Sequence, residues 1–271
     1  MNSSSLESRL LGRIRERNGR GGIPARDRSV DAPLSFAQQR LWFLDQLTPG
    51  SAEYVIPFGF RVHGGLDTDA LQAALTQLVE RHEVLRTRFV IREDGDPVQV
   101  VDDAQPFQVT VRDLREPSEI DDRRRDSDGQ RPEAENTERH QAEQAQSLLN
   151  EEAGRPFDLT SGELLRAFVI RLADDEALLL ISVHHIVADG WSMEVLTREL
   201  SALYAAALTK TPADLPEPAL QYADFAIWQR QWLTGDVLER QLGYWRERLA
   251  GLEPLELPTD RPRPPVRSGQ G

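Results

Sequence analysis

The order of apolar and polar residues along this chain predicts a succession of strands and helices. Residues 178–188 form a largely apolar run between the acidic residues 174–176 and Gly190, which predicts a strand buried on both faces. Residues 54–63 alternate and predict a second strand. Residues 164–172 predict a third strand, which meets the apolar run at the acidic turn. The strand with the strongest core character therefore lies late in the chain.

Apolar residues spaced three and four apart predict amphipathic helices around these strands. Ser35 is expected to cap the first helix. The apolar side of that helix carries Leu41, Leu44 and Leu47. Asp67 is expected to cap a second helix, whose inward stripe ends at His82, so His82 is assigned a structural role. A stripe over residues 193–207 predicts a long helix after the apolar run, with Ser192 as a candidate cap.

Polar groups at the end of the apolar run are the main candidates for chemistry. His184, His185 and Asp189 follow the strand, and burying such groups is costly unless they are hydrogen-bonded or paired. One core histidine is usually satisfied by a backbone partner, but two in succession before Asp-Gly indicate a site. Gly190 lies at a strand-to-helix turn, where the absence of a side chain lets backbone or substrate approach closely.

A metal site is not expected at these histidines. Neighbouring residues of a strand point to opposite faces, so His184 and His185 are not positioned to bind one ion. The chain contains no cysteine, which excludes disulfides, thiol nucleophiles and thiolate metal ligands together.

The charge and apolar content of the chain exclude several classes of partner. A net charge of -13 over 271 residues argues against binding to nucleic acid or to an anionic membrane surface. No stretch approaches the roughly 20 apolar residues that span a bilayer, and the first 20 residues lack the apolar centre of a signal peptide. We expect a cytoplasmic protein.

Two segments differ in composition from the rest. Residues 1–32 are interpreted as an N-terminal tail with a short amphipathic helix at 6–17, which is either a frayed terminus or a docking element for a partner. Residues 115–143 are dense in charge and poor in apolar residues, so they are expected to form a mobile charged loop, followed by a helix from Gln144.

Several motifs together resemble one family. Residues 184–190 resemble the HHxxxDG motif of the condensation domains of nonribosomal peptide synthetases, which are relatives of chloramphenicol acetyltransferase. Further matches follow the family order from residue 34 onwards: the helix at 34–47, RHExLRTxF at 81–89, PFDL at 156–159, YxDFAxWQ at 222–229 and LPTDxPRP at 257–264.

The resemblance implies a fold and a domain organisation. The fold class is α/β (α+β), a chloramphenicol acetyltransferase-like lobe in which a mixed sheet has flanking helices. Residues 33–271 correspond to the N-terminal lobe and end at the linker to a second lobe, which is missing, so the chain is expected to be an excised piece or a truncated copy that is inactive alone.

The resemblance also implies residue roles. In a complete domain, His185 would lie at the centre of the tunnel as a general base or an orienting group, while His184 would support the fold. Arg86 would form an ion pair with Asp189, and Gly190 would permit close approach of the acceptor. The lobe itself would bind no cofactor, because the substrates are carried on the phosphopantetheine of donor and acceptor carrier protein domains.

The resemblance leaves alternatives of function open. The sequence around Trp191 and the 34–47 helix favours the type that joins two L-amino acyl units. An epimerisation domain shares HHxxxDG, whereas a heterocyclisation domain would replace the two histidines. A non-catalytic lobe that binds carrier proteins is the alternative from a different functional class.

Overall fold

The computed structural model describes residues 22–115, 134–253, 255 and 258–262. The strands are β1 (Ala32–Pro33), β2 (Val55–His63), β3 (Thr87–Ile91), β4 (Pro97–Val101), β5 (Thr110–Asp113), β6 (Leu165–Ala173) and β7 (Glu176–His184). The α-helices are α1 (Phe36–Leu47), α2 (Thr68–Arg81), α3 (Ala134–Ala153), α4 (Gly190–Thr209), α5 (Tyr222–Trp232) and α6 (Gly235–Leu249). A 3₁₀ helix, Glu83–Arg86, connects α2 to β3.

The strands form two sheets. The larger has the order β2-β7-β6-β5, in which β7 pairs antiparallel with both neighbours and β5 pairs parallel with β6. The smaller is antiparallel with the order β1-β4-β3. The larger sheet is mixed and carries helices, as the family resemblance implies.

Strand β7 is buried on both faces because helices cover the larger sheet on each side. Leu179, Ile181 and Val183 point to the face covered by α2 and α4. Leu180, which points the other way, packs with Ala145 of α3. The prediction of a doubly buried strand is confirmed, and the alternation of side chains between two covered faces explains why residues 177–181 are all apolar.

Helix α1 begins where the sequence predicts, but its packing differs from the prediction. The Ser35 hydroxyl accepts a hydrogen bond from the Gln38 N–H (3.1 Å), and the Gln38 side chain accepts one from the Ser35 N–H (3.0 Å). The prediction that Leu47 belongs to the buried apolar side of this helix is wrong, because its side chain is 68% exposed. Gln38 is buried instead, because its amide donates to the side chain of Gln99 (3.0 Å).

The predicted loop at 115–143 is wrong over its last ten residues, because α3 begins at Ala134 rather than at Gln144. The Gln141 amide joins this helix to the sheet through the carbonyls of Leu114 (3.1 Å) and Leu172 (2.9 Å). Charged residues at helical spacing can also pair along the helix surface. Residues 116–133 lie outside the described residues.

The boundary predicted between a tail and a lobe at residue 33 is also wrong. The Arg26 side chain is 5% exposed and pairs with Glu83 (3.1 Å), and its backbone N–H donates to Asp224 (2.9 Å). Residues from at least Arg26 therefore belong to the packed lobe. The helix predicted at 6–17 lies outside the described residues.

None of the helices in the described part of the chain combines the length and the apolar content needed to cross a bilayer.

Candidate active site

The two histidines lie where β7 ends. The His184 N–H donates to the Leu164 carbonyl (3.1 Å), and the His185 N–H donates to the Tyr54 carbonyl (2.8 Å). These bonds hold the backbone of both histidines between the chain segments that flank β6 and β2. The His184 side chain is buried, whereas the His185 side chain is exposed. The structure therefore separates the two imidazoles into different environments.

His184 is a neutral core residue. It is 3% exposed, its Nδ1 accepts a hydrogen bond from the Ile186 N–H (3.1 Å), and its ring meets Phe157 edge to face at 6.1 Å. Burial lowers the pKa of the His184 imidazole to about 4, and the neighbouring His185 adds to the effect. The ring supports the turn after β7 and faces away from solvent.

The orientation of His185 is fixed by one hydrogen bond. Its Nδ1 lies 2.7 Å from the carbonyl oxygen of Ala188. A carbonyl can only accept, so Nδ1 carries the hydrogen and, in the neutral ring, Nε2 carries the lone pair. Within the described part of the chain, no residue forms a hydrogen bond with Nε2. An exposed imidazole held in this tautomer can accept a proton from a bound substrate.

Asp189 begins helix α4. Its carboxylate accepts hydrogen bonds from the Ser192 N–H (2.9 Å) and the Ser192 hydroxyl (2.7 Å). The Ser192 hydroxyl is the largest cause that holds the pKa of the Asp189 carboxyl below its usual range. The prediction that Ser192 is the cap is wrong, because Asp189 is the N-cap and Ser192 donates to it.

Gly190 is the first residue of α4 and is exposed. A Cβ built at this position would meet no atom within 4 Å. The described residues therefore do not themselves require glycine here, and the space beside the turn is open.

The predicted ion pair between Arg86 and Asp189 is wrong. The Arg86 guanidinium donates to the backbone carbonyls of Asp102 and Glu80, the latter at 3.4 Å. Arg86 ends the 3₁₀ helix before β3, which directs it towards the segment after β4. Asp189 has no need of a cation, because it is exposed and accepts from a helix N-terminus, which favours a negative charge.

His82 has the structural role assigned to it from the sequence. Its Nε2 lies 2.7 Å from the Glu199 carboxylate, which also pairs with Arg81 at 2.8 Å. Glu199 is buried between α2 and α4, so this cluster holds together the two helices that cover the sheet.

Sequence reasoning missed the Tyr222 hydroxyl, on which the charge of Asp189 acts. The Tyr222 hydroxyl lies 3.0 Å from that of Ser35, which is buried. Burial raises the pKa of the Tyr222 hydroxyl, and the charge of Asp189 contributes to the rise. The available signal was that Tyr222 opens the motif at 222–229. In the described ranges, no group of three or more histidines and carboxylates is arranged to hold a metal ion.

Removing the Asp189 carboxylate should remove the stabilisation that an N-cap side chain gives to helix α4. We expect Asp189→Ala to lower the free energy of unfolding by about 1 kcal/mol, and Asp189→Asn, which keeps an acceptor, to lower it by less. Urea unfolding of both variants measures the difference. Equal losses of about 3–5 kcal/mol in both would instead indicate a buried ion pair and would contradict the capping role.

Comparison with known proteins identifies the family to which this site belongs. The family model of the condensation domain matches residues 29–271. A linear gramicidin synthase of Brevibacillus parabrevis is 47% identical over 245 residues, which are 90% of this chain and 3% of that protein. Phosphinothricin tripeptide synthetase PhsC of Streptomyces viridochromogenes is 44% identical over 264 residues, 96% of this chain and 22% of that protein. The chain belongs to the condensation domain family.

Solved structures agree on the fold. The X-domain in its complex with OxyB from teicoplanin biosynthesis is 31% identical with a TM-score of 0.71, over 92% of this chain and 50% of that one. The starter condensation domain of rhizomide synthetase RzmA is 20% identical with a TM-score of 0.66, over 83% and 49%. The predicted fold class, a chloramphenicol acetyltransferase-like α/β lobe, is confirmed. The chain spans about half the length of these solved chains and a small part of the curated relatives.

Proposed function

We propose that this chain supplies the histidine-bearing half of a condensation domain that forms peptide bonds. The amine of an aminoacyl thioester on an acceptor carrier domain attacks the carbonyl carbon of a thioester on a donor carrier domain. A C–N bond forms, the C–S bond breaks, and the donor thiol leaves with one proton. Support comes from the family membership and from the names of the relatives, which are peptide synthetases.

The orientation of His185 is the observation that carries this proposal. With Nδ1 bonded to the Ala188 carbonyl, Nε2 offers its lone pair on the exposed side of the loop. That atom can take a proton from the attacking amine or hold the amine in line with the thioester. General base catalysis contributes about 10²–10⁴-fold, and positioning of two reactants can contribute more.

The surrounding residues are assigned supporting roles. Asp189 and His184 fix the two ends of the loop that carries His185, the first as a helix cap and the second as a core residue. Gly190 leaves open space beside the loop for the acceptor arm. Arg86 supports the segment after β4 and does not act through Asp189.

Both substrates are proposed to arrive on the phosphopantetheine arms of carrier protein domains, and this half of the domain is proposed to hold no cofactor of its own. The partners are therefore a donor carrier, an acceptor carrier and the remaining half of the domain. We further propose that the joined units are both L-configured.

Reconstitution tests the proposal. A complete condensation domain that contains this chain is mixed with a donor carrier and an acceptor carrier, each loaded with an L-aminoacyl thioester, and the acceptor is analysed by intact-protein mass spectrometry. We expect a dipeptidyl thioester on the acceptor carrier. Exchange of the α-proton of the donor unit without bond formation would indicate an epimerisation domain and would contradict the proposal.

A non-catalytic binding role is the second candidate. The similarity to an X-domain whose structure was solved in complex with OxyB favours it. In the same reconstitution, binding of loaded carriers without any dipeptidyl product would support this candidate against condensation.

A further inference from the structure

An apolar cavity of about 330 Å³ lies between α4 and β2, separate from the His185 loop. Its volume is at the lower end of the roughly 300–1,000 Å³ that small-molecule sites occupy. Strand β2, which contributes Phe58 and Phe60 to the lining, is an edge strand of the larger sheet. The inner wall consists of aliphatic side chains: Leu71, Leu75, Leu78, Leu179, Ile181 and Leu196.

The mouth of the cavity is formed by aromatic and hydroxyl side chains. Phe58 and Phe60 of β2 are half-buried and pack edge to face with ring centroids 5.6 Å apart. Thr197, Ser201 and Tyr204 line the α4 side, and Ser201 is exposed. The cavity thus passes from an aliphatic interior to a partly polar rim in contact with water.

The polar side chains at this rim are already bonded to the protein. The Thr197 hydroxyl donates to the Met193 carbonyl (2.8 Å), and the Ser201 hydroxyl donates to the Thr197 carbonyl (2.8 Å). The Tyr204 hydroxyl accepts from the Asp67 N–H (3.0 Å). At the rim the Tyr204 O–H can still donate and the Thr197 and Ser201 oxygens can still accept. The aliphatic interior offers a ligand only apolar contact, so a polar group placed there would lose its hydrogen bonds to water without replacement.

Among the residues that line the cavity, Arg61 is the only cation, and its charge is balanced by a carboxylate. Arg61 pairs with Glu176 at 2.8 Å. A ligand is therefore not selected by a charged head group. Its affinity must come from the part that enters the aliphatic interior.

Because the cavity is open to solvent and its lining is mostly apolar, it leaves apolar surface in contact with water, which is unfavourable. A hydrocarbon chain that enters the cavity removes this apolar surface from water. We propose that this cavity binds one unbranched aliphatic chain of medium length, with its methyl end towards Leu75 and its polar head in water beside Ser201. The site is distinct from the His185 loop, so the proposal does not depend on peptide-bond formation.

Titration of this chain with octanoate tests the proposal, with butanoate as the length control and 1-octanol as the head-group control. Isothermal titration calorimetry should show one saturable site for octanoate and a similar affinity for 1-octanol. Because each buried methylene contributes about a fourfold gain in affinity, butanoate should bind more than about 100-fold more weakly. Absence of saturable octanoate binding, or binding of octanoate without 1-octanol, would overturn the proposal.

Two variants locate the site. Leu196→Trp fills the cavity and should weaken octanoate binding at least about tenfold. The matched control is Leu148→Trp, on α3 at the other face of the sheet, which should leave octanoate binding unchanged. Phe60→Ala removes a ring from the mouth of the cavity and should weaken octanoate binding, because apolar contact with the chain is lost there. Circular dichroism confirms that each variant is folded. Unchanged octanoate affinity in a folded Leu196→Trp or Phe60→Ala variant would place any binding elsewhere and overturn the assignment.

Discussion

Replacing His185 with alanine in a complete condensation domain should lower the rate of peptide formation by about 10²–10⁴-fold without unfolding the protein. The expected loss is large because the His185 ring is exposed and its Nε2 has no hydrogen-bond partner among the described residues, so this atom is available to a substrate amine. The structural cost should be small, because an exposed side chain contributes little packing. Single-turnover assays with loaded carriers measure the rate, and urea unfolding measures the stability.

His63 provides a matched control for this variant. It is an exposed histidine at the end of β2, on the strand next to the one that carries the motif. His63→Ala should leave the rate unchanged. Equal rates for the wild-type domain and His185→Ala would remove the assigned role, and equal losses in both variants would indicate a general effect of removing a surface imidazole.

The free energy of unfolding should fall by about 3 kcal/mol as the pH decreases from about 6.5 to about 4, because of His184 alone. Burial lowers the pKa of this imidazole to about 4 in the folded chain, against 6.5 for the free side chain. Between these two values the unfolded state binds the proton and the folded state does not, so acid favours unfolding. Above this window both states are neutral and the contribution of His184 is constant.

Carboxylates titrate in the same range, so the prediction is tested as a difference between two chains. Urea unfolding at several pH values is compared for the wild type and His184→Gln, which removes the titrating group. The stability curves should converge as the pH falls towards 4. Parallel curves across the whole window would show that His184 is already solvated or charged in the folded chain and would contradict its assignment as a neutral core residue.

The strand that carries the motif could be predicted because its cause is local. A run of apolar residues between an acidic turn and a glycine is buried most completely as a strand in a sheet that is covered on both faces, and β7 is such a strand. The caps at Ser35 and Asp67 were predictable for the same reason, since a cap bonds to residues only three positions away.

The contacts that could not be predicted join residues distant in sequence. Helix α3 begins ten residues earlier than its composition suggests, because Gln141 bonds to carbonyls in two other segments. The Arg86–Asp189 pair was inferred from family motifs. In this chain the local bonds of Asp189 to Ser192 and the backbone partners of Arg86 replace it.

The position of the His185 ring falls between these two cases. The motif indicates that the residue matters, but its tautomer depends on the carbonyl of Ala188, which approaches only because the chain turns immediately after β7. The sequence therefore predicts that an imidazole is present at position 185, but the direction of its lone pair follows only from the three-dimensional structure.

The ¹⁵N chemical shifts of the His185 imidazole test the central claim most directly. In the neutral ring, long-range ¹H–¹⁵N spectra should show a protonated, pyrrole-type Nδ1 and an unprotonated, pyridine-type Nε2, with His185→Ala identifying the signals. A pyridine-type Nδ1 with a protonated Nε2 would mean that the Ala188 carbonyl does not hold the ring, and that Nε2 of His185 offers no lone pair to an incoming amine.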